Sequence, residues 1–228
     1  WVEPFARPNG DSAKHMSGLI RRPERRGIRY TRSMVRKTNR TGDGLRLEVL
    51  DPAQRKLWDE LGATPEQFML YGGTAIALRL GHRQSVDFDF FALETIDPNQ
   101  LLRTIPYLAK AIVDMQTDGS LTCRVKRGKL VSLSFFGVPS LKSVAKPDQL
   151  TDPGIRIASM LDLAGMKMAV VTQRARAKDY LDVHAILTMS DVTLLDALAA
   201  ATLIYGPQFN PMLTLKALTY FGEDDIER

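Results

Sequence analysis

The segment VDFDFF at residues 86–91 restricts the possible folds of this chain most, because it places two acidic side chains in an apolar run. Its alternation predicts a β-strand with Val86, Phe88 and Phe90 on one face and Asp87 and Asp89 on the other. Two carboxylates on one face repel each other, and burial raises the pKa of at least one of them. This face is therefore either open to water, which is the simpler interpretation, or in contact with a divalent cation.

The residues before this strand predict a phosphate-binding turn. Gly72, Gly73 and Thr74 separate a short apolar run, QFMLY, from a helix-forming run that ends at Gly81. Glycines at a helix start let backbone N–H groups approach an anion, and the helix dipole favours negative charge there. The chain between Thr74 and Asp87 fits one short helix and a turn, which would bring the two features together. Alone, a Gly-Gly pair indicates only a tight connection.

Three basic residues, Arg79, His82 and Arg83, lie between the turn and the strand. One interpretation is that they are solvated charges that stabilise the end of the helix. The other is that they contact phosphate, with Arg83 paired to Asp87 or to a triphosphate oxygen.

A second charged cluster lies in the segment MLDLAGMKMAVVTQRARAKDYLDVHAIL at residues 160–187. Lys167 and Arg174 are two helical turns apart on one face, and Asp179 and Asp182 also share a face. Spacing alone supports two interpretations equally. One is a network of ion pairs that joins two helices, and the other is a functional site.

The order of predicted elements indicates an α+β fold, with strands and helices mixed first and helices alone afterwards. The run LTCRVKRGKLVSLSFFGV predicts a β-hairpin that turns near Arg127-Gly128. From Ile155 onward we expect helices alone, one of which begins at an Asp191 cap. The predicted domains are a basic extension (1–44), a core (45–150) and a C-terminal helical lobe (151–228).

The basic character of the chain is concentrated in the extension. Residues 1–44 carry 11 Lys/Arg and 4 Asp/Glu, whereas the whole chain has a net charge of +5. Such a segment can bind polyanions, but its lack of apolar periodicity favours an unfolded extension.

One cysteine excludes an internal disulfide, and three histidines are too few for a usual zinc cluster. The lack of a disulfide leads us to expect a reducing, cytoplasmic compartment. No apolar run approaches the ~20 residues that cross a bilayer.

The two charged segments together resemble a known family. YGGTAIALRLGHRQSVDFDFF and ASMLDLAGMKMAVVTQRARAKDYLDVHAIL, in this order and spacing, are similar to the AbiEii/AbiGii nucleotidyltransferase toxins over about residues 45–221. The resemblance implies a polymerase-β-like nucleotidyltransferase core, with a small mixed sheet and helices, plus a helical lobe. It also implies Mg²⁺ (one or two ions), a nucleoside triphosphate (NTP) substrate, an RNA acceptor such as tRNA, and a cognate antitoxin encoded nearby.

The resemblance also assigns residues. It implies that Asp87 and Asp89 bind the metal, that Lys167 contacts the triphosphate, and that either Asp179 or Asp182 is the essential late aspartate. The expected catalytic residues are thus Asp87, Asp89, Lys167, Asp179 and Asp182. The resemblance implies that Gly72, Gly73 and Thr74 hold the nucleotide phosphates. The basic residues Arg79, Arg83 and Arg174, singled out by their positions alone, complete the expected nucleotide-binding set.

Two departures from the wider superfamily leave alternatives open. A third carboxylate is usual on a later strand, but here KLVSLSFF offers only Ser132 and Ser134 at its polar positions. Either Asp179 or Asp182 substitutes for it, or metal is held less tightly. Thr74 replaces the serine of many relatives and keeps the hydroxyl.

The leading hypothesis is an active toxin that modifies RNA. The alternatives are a catalytically silent nucleotide- or partner-binding domain and, less favoured because histidines are scarce, a phosphohydrolase.

Overall fold

The structure is a computed structural model that describes residues 44–174 and 176–219. The basic extension predicted at residues 1–44 lies outside the described residues except for its last position.

A seven-stranded mixed sheet forms the centre of the described chain. Its strands are β1 (Met69–Tyr71), β2 (Asp87–Ala92), β3 (Ile112–Thr117), β4 (Ser120–Arg127), β5 (Lys129–Gly137), β6 (Asp148–Gln149) and β7 (Arg156–Ile157). Their spatial order is β3-β4-β5-β2-β1-β7-β6. The central strand β2 is antiparallel to β1 and parallel to β5, and β1 is parallel to β7.

Seven α-helices surround this sheet within the described residues. They are α1 (Pro52–Trp58), α2 (Gly72–Leu80), α3 (Pro98–Thr104), α4 (Met160–Val170), α5 (Ala177–Met189), α6 (Leu194–Tyr205) and α7 (Pro211–Thr219). None of these described helices has the length and apolar character needed to cross a membrane.

Local sequence signals explain several element boundaries. The Asp51 carboxylate accepts hydrogen bonds from the backbone N–H groups of Ala53 and Gln54, which caps α1. The predicted hairpin is confirmed as β4 and β5, and Gly128 makes its turn with a φ of +93°, a conformation that favours glycine.

Two boundary predictions in the second half are wrong. The segment after Ile155 is not purely helical, because Arg156 and Ile157 form β7 and pair with β1. A strand of two residues is too short to show any periodicity. Helix α6 is capped by Thr193 rather than Asp191, because Thr193 and Asp196 form a capping box.

The core lies between the sheet and the helices that pack on it. Phe90 stacks on Phe135 across β2 and β5, with ring centroids 5.4 Å apart. On the helical side, Gly165 lets α4 approach α6 closely, since a Cβ atom there would lie 2.9 Å from the backbone nitrogen of Ala201. Burial of each large apolar side chain contributes about 1.5–3 kcal/mol. This packing fixes β2 beside β5 and α4 beside α6.

Candidate active site

The two aspartates of VDFDFF lie on one face of β2. Asp87 and Asp89 are half-buried, whereas the alternating Phe88 and Phe90 are fully buried, so the predicted alternation is confirmed for these four residues. Val86 is a correction, because it precedes the strand and is 61% exposed. Pairing with β5 begins only at Asp87, so nothing holds Val86 against the core.

The neighbouring strand places hydroxyl groups beside the carboxylates. In the parallel pairing of β2 with β5, Asp87 is in register with Ser132 and Asp89 with Ser134. The serines predicted at the polar positions of KLVSLSFF thus lie beside the two aspartates. Any ion held at this face has two carboxylates from the sheet.

The glycine turn lies directly against the second aspartate. Tyr71, the last residue of β1, is in register with Asp89, so Gly72 at the start of α2 reaches the same carboxylate. Gly72 has a φ of +73°, and a Cβ atom there would lie 2.5 Å from Asp89 Oδ2. Any side chain at this position would be strained and would clash. The structure thus brings the turn and the aspartate pair together.

Thr74 holds the start of β2 in place. Its side chain is 1% exposed, and its hydroxyl donates a hydrogen bond to the backbone oxygen of Asp87. The same hydroxyl lies 2.8 Å from Ser85 Oγ. In this structure the predicted phosphate ligand therefore acts within the protein, by positioning Asp87 relative to the turn.

Arg83 lies over the glycine turn, but it pairs with Asp182 and not with Asp87, which was one of the two partners suggested by the sequence. A Cβ atom on Gly73 would lie 2.3 Å from Arg83 Nη2. The guanidinium donates to both oxygens of Asp182, at 2.7 Å and 2.8 Å, and the suggested pair with Asp87 is not formed. Asp182 is the favoured partner because its buried carboxylate accepts two hydrogen bonds from the guanidinium and is shielded from water, whereas Asp87 is half-exposed.

The second charged cluster forms an ion-pair network that joins α4 and α5 to the turn after α2, which carries His82 and Arg83. Lys167 Nζ lies 2.9 Å from Asp179 Oδ1 and 2.8 Å from Asp182 Oδ2. Arg174 binds Asp179, and His82 Nε2 lies 2.7 Å from Asp182 Oδ1. Lys167 is 6% exposed and both aspartates are fully buried. The structure thus shows the network that spacing alone left open.

Both network aspartates are held in the charged form. Burial acts to raise the pKa of Asp182, but hydrogen bonds from His82, Arg83 and Lys167 outweigh it and hold this pKa below its usual range. The same competition, with Lys167 and Arg174 as partners, lowers the pKa of Asp179. Breaking such a buried pair by removing one partner typically costs about 3–5 kcal/mol.

Asp89 has the opposite electrostatic environment. Burial, followed by the negative charge of Asp87, raises the pKa of Asp89 to about 6. The positive charges of Lys167, Lys178 and Arg174 act in the other direction, so all three are close enough to influence this carboxylate. A bound cation would relieve the repulsion between the two aspartates.

Sequence reasoning did not assign Lys178 to the site. It is exposed in the first turn of α5, and it has no ion pair among those found in the described residues. The available signal was its place beside Asp179 in KDYLD, within the charged cluster that the sequence had already singled out.

Arg79 was predicted to contact the nucleotide, but in the structure its side chain bonds to other parts of the protein. Its Nη2 atom donates to Asp148 Oδ2 and to the backbone oxygen of Ala158, each at 2.7 Å. These bonds link α2 to the segment that carries β6 and β7.

Comparison with known proteins identifies the family. The family model described as nucleotidyl transferase AbiEii toxin, type IV toxin–antitoxin system, matches residues 55–228. The chain belongs to the AbiEii toxin family. An uncharacterized protein of Aquifex aeolicus (strain VF5) is 35% identical over 119 residues, which are 50% of this chain and 55% of that protein. The chain therefore spans about half the length of the curated relative that it matches.

Solved structures place this AbiEii family member in a fold class. MenT4, a nucleotidyltransferase toxin from Mycobacterium tuberculosis H37Rv, has a TM-score of 0.51 at 17% identity over 77% of this chain and 72% of its own. The antibiotic-resistance factor ANT(2'')-Ia has a TM-score of 0.50 at 12% identity over 68% of this chain and 90% of its own. These identities show the fold alone, which is the polymerase-β-like nucleotidyltransferase fold predicted from the sequence.

The donor set of this AbiEii-type site suits a hard divalent cation. No group of three His, Cys, Asp or Glu side chains that could hold a metal occurs among the described residues. Two adjacent carboxylates with neighbouring hydroxyls fit Mg²⁺, which is usually held by one or two carboxylates with water and substrate phosphates as its other ligands. Asp87 and Asp89 are the residues that would bind it.

Proposed function

We propose that this AbiEii family member transfers a nucleotide from an NTP to a hydroxyl group of an RNA acceptor, with tRNA as one candidate. We also propose that it acts in the cytoplasm as the toxin of a pair with a cognate antitoxin protein. One observation carries the catalytic part: Gly72, at the start of α2, lies against the carboxylate of Asp89. An anion-binding turn and a cation-binding acid pair in contact are what a metal–triphosphate complex requires.

The residues of the chain divide the work of phosphoryl transfer. Mg²⁺ bound by Asp87 and Asp89 would neutralise charge on the triphosphate as the bond to the leaving pyrophosphate breaks. The backbone of Gly72 and Gly73 faces the same space and orients the phosphates. Arg83, held over the turn by Asp182, adds positive charge beside them.

Lys167 acts in this proposal as a positioning residue. Its ammonium group is shared between Asp179 and Asp182, so its bonds serve the network that fixes Arg83. Lys178, which is exposed at the rim and near Asp89, takes the direct contact with the triphosphate. Asp179 and Asp182 likewise hold the side chains of Lys167, Arg83 and Arg174 in place. The proposed metal site therefore uses only the carboxylates of Asp87 and Asp89.

A second candidate is a catalytically silent nucleotide-binding domain. The specific observation in its favour is that Ser132 and Ser134 stand beside Asp87 and Asp89 where a third acid is usual in the superfamily. The two candidates differ in whether a covalent product forms.

A transfer assay separates them. The protein is incubated with Mg²⁺, total RNA and each of the four NTPs labelled at the α-phosphate. The proposal expects label in RNA with wild type and with the exposed-loop control Asp118→Asn, and none with Asp87→Ala. Binding of an NTP without labelled RNA for any of the four would instead support the silent domain.

A further inference from the structure

A cavity of about 540 Å³ opens beside the ion-pair network, between the end of α4, the start of α5, and α7. Its polar lining consists of Thr172, Gln173, Arg174, Tyr180, Lys216 and Thr219. Both charged residues in this lining, Arg174 and Lys216, are cations. A volume of this size lies in the range of about 300–1,000 Å³ that is usual for small-ligand sites.

Two hydrogen bonds between helices fix the walls of this cavity. The buried Thr214 of α7 donates through Oγ1 to the backbone oxygen of Met168 in α4, at 3.0 Å. Tyr180 of α5 donates through its hydroxyl to the backbone oxygen of Ala217 in α7, at 3.3 Å. The cavity is open to solvent, and the three helices around it are bonded to one another.

Arg174 connects the cavity to the candidate active site. Its Nε and Nη2 atoms bond to Asp179, and no bond from Nη1 to a described residue is found. Its side chain is 42% exposed, so this third nitrogen can bind a ligand. None of the lining residues belongs to the glycine turn or to β2, so the cavity adjoins the proposed metal–triphosphate site without being part of it.

We propose that this cavity binds a nucleotide unit, with its phosphate held by Arg174 and Lys216 and its ring against Tyr180. The proposal rests on the proposed function, which requires an acceptor nucleotide close to the site of transfer. Guanidinium and ammonium groups bind phosphate well, and an aromatic face stacks on any base. The Gln173 amide offers a donor and an acceptor to the sugar and base edges, whereas the hydroxyls of Thr172 and Thr219 donate to backbone oxygens and offer acceptors only.

Binding measurements with full-length protein test this assignment. The two probes are a fluorescent short single-stranded RNA and a non-hydrolysable NTP with Mg²⁺, which separate an acceptor strand from a free nucleotide. Lys216→Ala is expected to weaken RNA binding about tenfold, the size of one lost charge-assisted hydrogen bond. It should also lower the slope of log affinity against log salt by about 0.7. Lys216→Glu should weaken binding further, and Lys216→Arg should restore it.

Lys56→Ala is the matched control, because Lys56 is an exposed lysine in the last turn of α1. Weakened NTP binding in place of weakened RNA binding would support the cavity and identify the free nucleotide as its ligand. Unchanged affinity for both probes, with a folded variant, would overturn the proposal. Failure of the wild type to label RNA, with the Lys216 effects intact, would reject only the proposed function.

Discussion

Gly72 and Asp89 are in contact where α2 begins beside β2, so closely that a Cβ atom on Gly72 would lie 2.5 Å from Asp89 Oδ2. This contact joins the end of the helix that we propose binds phosphate to a carboxylate of the candidate metal site. It leaves no room for a side chain at residue 72. The proposed activity depends on this relationship.

Replacement of Gly72 by alanine tests the contact. Gly72→Ala should lose nucleotide binding and transfer, because the new methyl group displaces Asp89 and alanine is strained at a φ of +73°. The strain alone costs about 1–2 kcal/mol, which a thermal melt will detect. The measurement is NTP affinity in Mg²⁺ together with the melting temperature.

Gly128→Ala provides the matched control for that variant. Gly128 also has a positive φ, but no atom lies within 4 Å of a Cβ built there. It should lose similar stability and keep its affinity for NTP. Equal affinity in both variants would show that the space beside Asp89 is not needed for binding.

Lys167 and Lys178 should give opposite phenotypes. Lys167→Met leaves two buried aspartates without their shared partner, and should lower the free energy of unfolding by about 3–5 kcal/mol. Lys178→Met removes an exposed charge, so it should leave stability unchanged and weaken NTP binding about tenfold. Denaturant unfolding and NTP titration of both variants measure these effects. A stable Lys167→Met protein with weakened NTP binding would return the triphosphate contact to Lys167.

Asp182 should make stability depend on acid. Its pKa is lower in the folded protein than in the unfolded chain, so its stabilisation is fully present above the unfolded pKa of about 4. That stabilisation is lost as the pH falls below this value toward the folded pKa. The difference in unfolding free energy between wild type and Asp182→Asn should therefore be largest near neutral pH and shrink below about pH 4. If the difference in unfolding free energy between the two proteins did not vary with pH, the charge of Asp182 could not be the source of the stabilisation.

Local signals in the sequence were sufficient to predict the strand that carries the site and the hairpin beside it. The alternation around Phe88 and Phe90 and the glycine at residue 128 act within a few residues, so they are visible in the sequence. That the glycine turn and the aspartate pair lie side by side also followed from chain length, because one short helix and a turn bring the chain back beside the strand before the helix.

The partners within the ion-pair network could not be predicted in the same way. Arg83 and Asp182 are 99 residues apart, and local spacing does not show that α5 packs on α2. The same limit applies to β3, in which all six residues are exposed, and to the two-residue strands β6 and β7. Their pairing is decided by neighbours distant in sequence, with little alternation of their own.

The central claim is that Asp87, Asp89 and the turn at Gly72 form one metal–triphosphate site. Equilibrium titration of a non-hydrolysable NTP, with and without Mg²⁺, tests it most directly in wild type, Asp89→Asn and the control Asp118→Asn. We expect tight binding that requires Mg²⁺ in wild type and the control, and loss of the Mg²⁺-dependent part in Asp89→Asn. Binding of equal strength in Asp89→Asn, or binding indifferent to Mg²⁺ in wild type, would contradict the account.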